Sequence, residues 1–120
     1  MTFPHINVKT KNFEAPVALT DFLEKRMATL EKLLPKGDVV CDVELEKTTE
    51  HHAGNIYRTE INIAFASKVL RAEAAEETME AAIDSARNYM KRELEKSRSR
   101  SESLFRRGAR KAKELFRFRE

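Results

Sequence analysis

Hydrophobic and polar residues alternate along four short segments of the chain, and this two-residue period is typical of β-strands. In the second segment, for example, Val43 and Leu45 would face a core while the acids between them face outward. The predicted strands are His5–Lys9, Val39–Glu46, Tyr57–Phe65 and Val69–Ala75. The outward positions include Glu44, Glu46 and Glu60. The pattern therefore predicts a sheet with one apolar face and one acidic face.

Apolar residues recur at steps of three and four in two longer segments, which is the spacing of one face of an α-helix. The first segment begins after Pro16 and is ended by Pro35-Lys36-Gly37, so it predicts a helix of about five turns. The second runs from Glu76 to Ser97, and its first carboxylates suit the positive end of a helix dipole. The apolar stripes are Leu19, Leu23, Met27, Leu30 and Leu34, then Met79, Ile83, Ala86, Met90 and Leu94.

The predicted elements follow the order β-α-β-β-β-α, which favours an α+β two-layer sandwich. A strand–helix–strand start implies a right-handed crossover, so the first two strands are expected to be parallel. Because each helix has one apolar stripe, both helices should cover one face of a four-stranded mixed sheet. Residues 1–97 are predicted to form this domain. Residues 98–120 are predicted to be an arginine-rich tail, disordered or transiently helical when free.

The composition narrows the class of protein. One cysteine among 120 residues permits no internal disulfide. Together with the lack of an apolar run of about 18 residues or an apolar leader, this favours a soluble cytoplasmic protein that binds no membrane. His51 and His52 are adjacent and do not share a face as helical ligands four residues apart would, so neither a metal nor a cofactor is expected. No phosphate loop or nucleophile motif appears, so neither an enzyme nor a small-molecule substrate is expected.

The positive charge is concentrated at the C-terminal end. Residues 97–120 hold nine Lys and Arg against three acids, a balance of +6, whereas residues 1–96 have a balance of −3. Clustered cations bind phosphates and release counterions, so the expected partner is a nucleic acid. The acidic sheet face would be repelled by RNA, which predicts that the protein binds with its helices first.

Apolar residues in the tail have the spacing of a short amphipathic helix with a cationic back, from Phe105 to Phe116. Gly108 weakens this helix by about 1 kcal/mol. Such a segment can fold on an RNA surface, but a disordered solubilising tail and docking to anionic lipid or protein stay open. The tail residues expected to contact RNA are Arg106, Arg107, Arg110, Lys111 and Lys113.

Two segments also carry a family pattern. The run ALTDFLEKRMATLEK at residues 18–32 is close to A-L-x-x-x-V-E-K-[KR]-L-A-K-L-E, and LRAEAAEETMEAAID at residues 70–84 is close to A-D-A-T-D-E-D-M-Y-A-A-I-D. With KRELEK at residues 91–96, the chain resembles the short form of the ribosome hibernation-promoting factor family, also called ribosome-associated inhibitor or sigma-modulation proteins. The resemblance covers about residues 5–98.

The resemblance implies a non-enzymatic stress factor with a fold like that of double-stranded-RNA-binding domains. Family members bind the small ribosomal subunit in the cleft between head and body, overlapping messenger RNA and A- and P-site transfer RNA, and so inhibit translation in stress or stationary phase. Basic side chains on the helices contact ribosomal RNA. The chain is expected to be monomeric when free, since it lacks the long form's dimerisation domain.

Carried over by position, the implied RNA contacts on the helices are Lys25, Arg26, Lys32, Arg92 and Lys96. Arg87, Lys91 and Arg98 add nearby positive charge. Thr29 and Tyr89 stand where the family often has Lys, which removes two cations from the expected surface.

Other interpretations of the same residues stay open. Glu and Lys at four-residue spacing are also ordinary on a solvated helix face. A general double-stranded-RNA-binding module acting outside the ribosome is one alternative function. A protein-interaction module that docks through its acidic sheet face is another.

Overall fold

The computed structural model describes the backbone of residues 5–48 and 54–117 and the side chains of residues 5–48 and 54–100. The strands are β1 (Ile6–Lys11), β2 (Val40–Lys47), β3 (Tyr57–Phe65) and β4 (Lys68–Glu76). The helices are α1 (Val17–Ala28) and α2 (Met79–Arg117), with a 3-10 turn at Glu31–Leu33 between α1 and β2. This is the predicted order of elements.

The sheet has the strand order β1-β2-β3-β4. Strands β1 and β2 are parallel, and the other two pairs are antiparallel. The apolar stripes of both helices pack with the inward residues of the strands in one core. The predicted α+β two-layer sandwich, with two helices on one face of a mixed sheet, is confirmed.

The core is built from side chains that the periodicity selects. Leu23, Met27 and Leu30 have no exposed surface, and neither do Ile61 and Ile63 of the central strand β3. Burying an aliphatic side chain of this size contributes about 1.5–3 kcal/mol, so these positions hold the two layers together.

Cys41 lies at the start of β2 and is fully buried in the same core. Burial, and after it the negative charge of Asp42, raises the pKa of the Cys41 thiol to about 12. The alternation that places Val43 and Leu45 in the core thus extends to Cys41.

The first helix is shorter than the spacing of its leucines predicts. Helix α1 ends at Ala28, and the chain tightens into the 3-10 turn. The cause lies at Thr29, whose backbone N–H bonds back to the Arg26 carbonyl at 3.3 Å, and the next N–H, that of Leu30, bonds to the Met27 carbonyl at 2.9 Å. Its hydroxyl also donates to the Arg26 carbonyl at 2.6 Å. Leu30 nevertheless stays buried, because the tighter turn keeps it on the core side.

The second helix begins and ends later than expected. Thr78 caps its start, because the Thr78 hydroxyl accepts a hydrogen bond from the Ala81 N–H at 3.1 Å. The predicted end at Ser97 is wrong as a helix boundary, since α2 continues to Arg117. No Pro or Gly interrupts residues 97–107, and Gly108 costs only about 1 kcal/mol within a helix. The division into a domain of residues 1–97 and a tail stays a prediction.

Candidate nucleic-acid interface

Two of the predicted contact residues lie in the seam between α1 and α2. The Arg26 Nε donates to the Asp84 carboxylate at 2.7 Å, and its guanidinium lies 4.5 Å from the centre of the Phe22 ring. The Arg87 Nε donates to the Thr29 hydroxyl at 2.8 Å. Both arginines therefore bridge the two helices as well as presenting charge to solvent.

Thr29 acquires a role that the family pattern does not assign to it. Its hydroxyl donates to the Arg26 carbonyl at 2.6 Å and accepts from Arg87 at 2.8 Å. The residue that removes a cation from the family surface thus ends α1 and positions Arg87. Where the family often has a flexible lysine, this chain has a threonine that orients Arg87.

Four other predicted residues lie on α1, on the turn that follows it, or on α2. Lys25 is exposed on α1. Lys91 is half-exposed and lies 4.0 Å from the Glu95 carboxylate, one turn along α2. Lys32 and Arg98 line a cavity where the turn after α1 meets α2. We call the six cations of this side the seam group. They are Lys25, Arg26, Lys32, Arg87, Lys91 and Arg98.

The remaining two predicted residues lie on the opposite flank of α2, beside β4. Arg92 and Lys96 line a cleft there together with Arg71 of the sheet. The Arg92 guanidinium lies 4.9 Å from the centre of the Tyr89 ring, and Tyr89 is 45% exposed. We call Arg92, Lys96 and Tyr89 the edge group. The structure thus divides the predicted set between two flanks of one helix.

Some cations of these surfaces escaped sequence reasoning. Lys36 lines the cavity with Lys32 and Arg98, although the sequence pattern indicates only that its segment ends a helix. Lys68 and Arg100 line a second cleft of the edge flank with Lys96. A signal existed for Arg100, which follows Lys96 by one helical turn. The sequence gives no such signal for Lys36 or Lys68, because only folding brings their segments beside α2.

The outer face of the sheet differs from its predicted acidic character. Arg58, whose side chain is only 16% exposed, contacts Glu44 and Glu46 at 3.3 Å, Glu73 at 2.6 Å and also Glu60. Arg71 adds ion pairs to two of these acids, and Lys11 lies 3.5 Å from a third. The predicted acids do lie on this outer face, but strand positions opposite them supply cations, so the face carries both signs of charge.

This network has a clear electrostatic effect on its members. A hydrogen bond from Asn62, followed by one from Arg58, holds the pKa of Glu60 below its usual range. The hydrogen bond from Arg58 does the same to the pKa of Glu73. The hydrogen bonds that Arg58 donates to Glu73 and Glu60, together with the negative charge of these acids, raise the pKa of Arg58.

Part of the prediction falls outside the described side chains. Arg106, Arg107, Arg110, Lys111 and Lys113 belong to the helical backbone of α2, but their side chains are not described. His51 and His52 lie outside the described residues altogether. Within the described part of the chain, no group of three potential metal ligands occurs, and no helix is long and apolar enough to cross a membrane.

One known protein family matches most of this chain. The model of the family described as Sigma 54 modulation protein / S30EA ribosomal protein matches residues 6–102. The chain belongs to this family. Membership makes it a ribosome-associated modulation protein, and the resemblance seen in the sequence is thereby confirmed. No curated protein matches the chain.

Two solved structures have the same fold as this chain. The N-terminal domain of Protein Y from Thermus thermophilus is 23% identical, with a TM-score of 0.64 over 80% of this chain and 98% of that one. A ribosomal subunit interface protein from Coxiella burnetii is 15% identical, also with a TM-score of 0.64, over 79% of this chain and 98% of that one. Both likenesses establish the fold.

The family match ends part-way along α2. The seam and edge groups lie within residues 6–102, whereas the five predicted tail contacts lie beyond them. The family match therefore covers the seam and edge groups but not the five predicted tail contacts.

Proposed function

We propose that this protein is a ribosome hibernation factor of the cytoplasm. It binds the small subunit in the decoding channel, where it overlaps messenger RNA and A- and P-site transfer RNA and inhibits translation under stress or in stationary phase. It acts by occupying the channel and not by catalysis. Ribosomal RNA is the polyanion that its helices meet.

The distribution of cations carries the proposal. The described side chains of the helix layer present cations on both flanks of α2, several of them exposed, such as Lys25 and Lys32. On the sheet layer, by contrast, the side chain of Arg58 is largely buried among carboxylates. The helix layer is therefore the side with more exposed positive charge for phosphates, which supports binding with the helices first.

The two flanks of α2 suit a binding site with RNA on more than one side. The seam group and the edge group lie on opposite flanks of α2, so one phosphate backbone does not reach both. A cleft walled by RNA on two sides satisfies both groups at once. Because phosphate contacts carry no sequence information, the shape of the cleft then supplies the specificity.

Sedimentation with purified ribosomal subunits tests the proposal. The protein should co-migrate with small subunits and whole ribosomes, and added messenger RNA and transfer RNA should compete with it. If about six phosphates are neutralised, the log–log dependence of affinity on salt should have a slope of about −4 to −5. Lack of association, or a flat salt response, contradicts the proposal.

Charge reversal supplies the matched variants. Lys25→Glu and Arg92→Glu, one variant for each group, should each weaken binding more than Lys9→Glu on the sheet face, which changes the net charge by the same amount. Equal effects of the three single changes would mean that only net charge matters. A general RNA-binding module outside the ribosome would instead bind any long RNA duplex as well as it binds small subunits.

A further inference from the structure

The turn after α1 and the middle of α2 enclose a cavity of about 390 Å³. Its walls come from residues 32–36, from Phe65 at the end of β3, and from Leu94, Ser97 and Arg98 of α2. Small-molecule sites have volumes of about 300–1,000 Å³. The cavity is therefore large enough for a small organic ligand.

The lining of this cavity has two chemical parts. Leu33, Leu34, Pro35, Phe65 and Leu94 provide apolar and aromatic surface. Lys32, Lys36 and Arg98 provide three cations, and no described carboxylate lines the cavity. The edge-flank cleft differs in this respect, since Glu73 and Glu93 line it and would repel an anion. The cavity therefore fits a ligand that joins an apolar ring to an anionic group.

We propose that this cavity binds a nucleoside phosphate, with the base against the apolar wall around Phe65 and the phosphate held by Lys32 and Lys36. Stacking of bases on aromatic side chains is tolerant of sequence, and ammonium groups hold phosphate through charge-assisted hydrogen bonds. The ligand is either a free nucleotide or an unpaired nucleotide of an RNA strand, which share this chemistry. The site goes beyond the proposed ribosome binding, because a nucleotide can enter it without a ribosome.

The site can be tested by titrating the full-length, ¹⁵N-labelled protein and following amide shifts in NMR spectra. The probes are adenosine 5′-monophosphate, a single-stranded adenosine hexanucleotide, and inorganic phosphate. The expected result is saturable shifts around Phe65 and Ser97 with the hexanucleotide. The same shifts with the mononucleotide show that free nucleotides suffice, and their restriction to the hexanucleotide identifies an RNA nucleotide as the ligand.

Three variants make the test specific. Ser97→Phe fills the cavity without removing a cation and should abolish the shifts. Lys36→Gln should weaken binding about tenfold, the loss of one charge-assisted hydrogen bond. Lys9→Gln on the sheet face removes the same charge and should leave binding unchanged.

The proposal is overturned if neither nucleotide probe shifts the cavity residues, or if inorganic phosphate alone reproduces the effect. It is also overturned if Lys36→Gln behaves like Lys9→Gln. The Lys36 comparison stands even if Ser97→Phe disturbs the fold. Because the titration contains no ribosome, its failure leaves the proposed ribosome binding intact, and failed sedimentation leaves the cavity proposal intact.

Discussion

Replacing Arg58 by Met should reveal how far the outer face of the sheet depends on one guanidinium. The substitution keeps an apolar stem of similar length but removes every hydrogen bond to the surrounding carboxylates. Those bonds reach Glu73 at 2.6 Å and Glu44 and Glu46 at 3.3 Å, besides the contact with Glu60. Without Arg58 these acids repel one another across neighbouring strands.

The expected loss follows from burial. Removing one partner of a charged hydrogen bond costs about 1.5–3 kcal/mol, but exposed pairs contribute only about 0–1 kcal/mol. The Arg58 side chain is 16% exposed, while its carboxylate partners range from 16% to 43%. We therefore expect a loss of about 2–4 kcal/mol in the free energy of unfolding at pH 7.

The same change should alter the response to acid. Arg58 holds the pKa of Glu73 below the ordinary value of 4.5, so the unfolded chain binds more protons in this range. The resulting stability is fully present above pH 4.5 and is lost as the pH falls through the lowered pKa. In Arg58→Met this acid-dependent loss should be smaller, because Glu73 keeps a more ordinary pKa.

Urea unfolding followed by circular dichroism, at pH 7 and at several values below pH 4.5, measures both effects. Arg71→Met is the matched control, since it removes an arginine from the same face whose side chain is 58% exposed. It should cost less than about 1 kcal/mol. Equal losses for the two variants, or an unchanged acid dependence in Arg58→Met, would refute the reasoning.

Three further changes test the fold by the same unfolding measurement. Thr78→Ala removes the cap of α2 and should cost about 1 kcal/mol; no loss would show that the cap is replaced by water. Leu23→Ala opens a cavity between the layers and should cost about 2–5 kcal/mol, and a loss below this range would mean that the core collapses around it. Ala66 and Ser67 join β3 to β4 with φ of 47° and 65°, so replacement by Asn-Gly should stabilise the protein by about 1 kcal/mol. A loss there would mean that the native side chains make compensating contacts.

The layers of the fold could be predicted because each element repeats its period over several residues. The strand alternation of Val43 and Leu45 and the helical spacing of Leu19 and Leu23 do not fit the opposite structure. The end of α1 could not be predicted, because the hydrophobic spacing continues to Leu34. It depends instead on a local hydrogen bond from one hydroxyl.

The candidate site was predictable in composition but not in arrangement. Lys25 and Arg92 were found through the family pattern, yet their division between two surfaces depends on how α2 lies against both α1 and β4. The partners of Arg58 were hidden for a related reason. Cross-strand neighbours such as Glu46 and Glu73 are separated in sequence, and only the strand register brings them together.

Because Cys41 is buried, the rate at which the protein's single thiol is alkylated reports how often the core opens. Only the thiolate reacts with alkylating agents, and a thiol with a pKa near 12 supplies almost none at neutral pH. The Cys41 side chain lies in the core between the sheet and the helices, so reagent reaches it only after these two layers separate. The mass that the protein gains over time therefore counts opening events, and mass spectrometry can follow it in a mixture with ribosomes. A bound partner that holds the helix layer in place should slow the alkylation of Cys41.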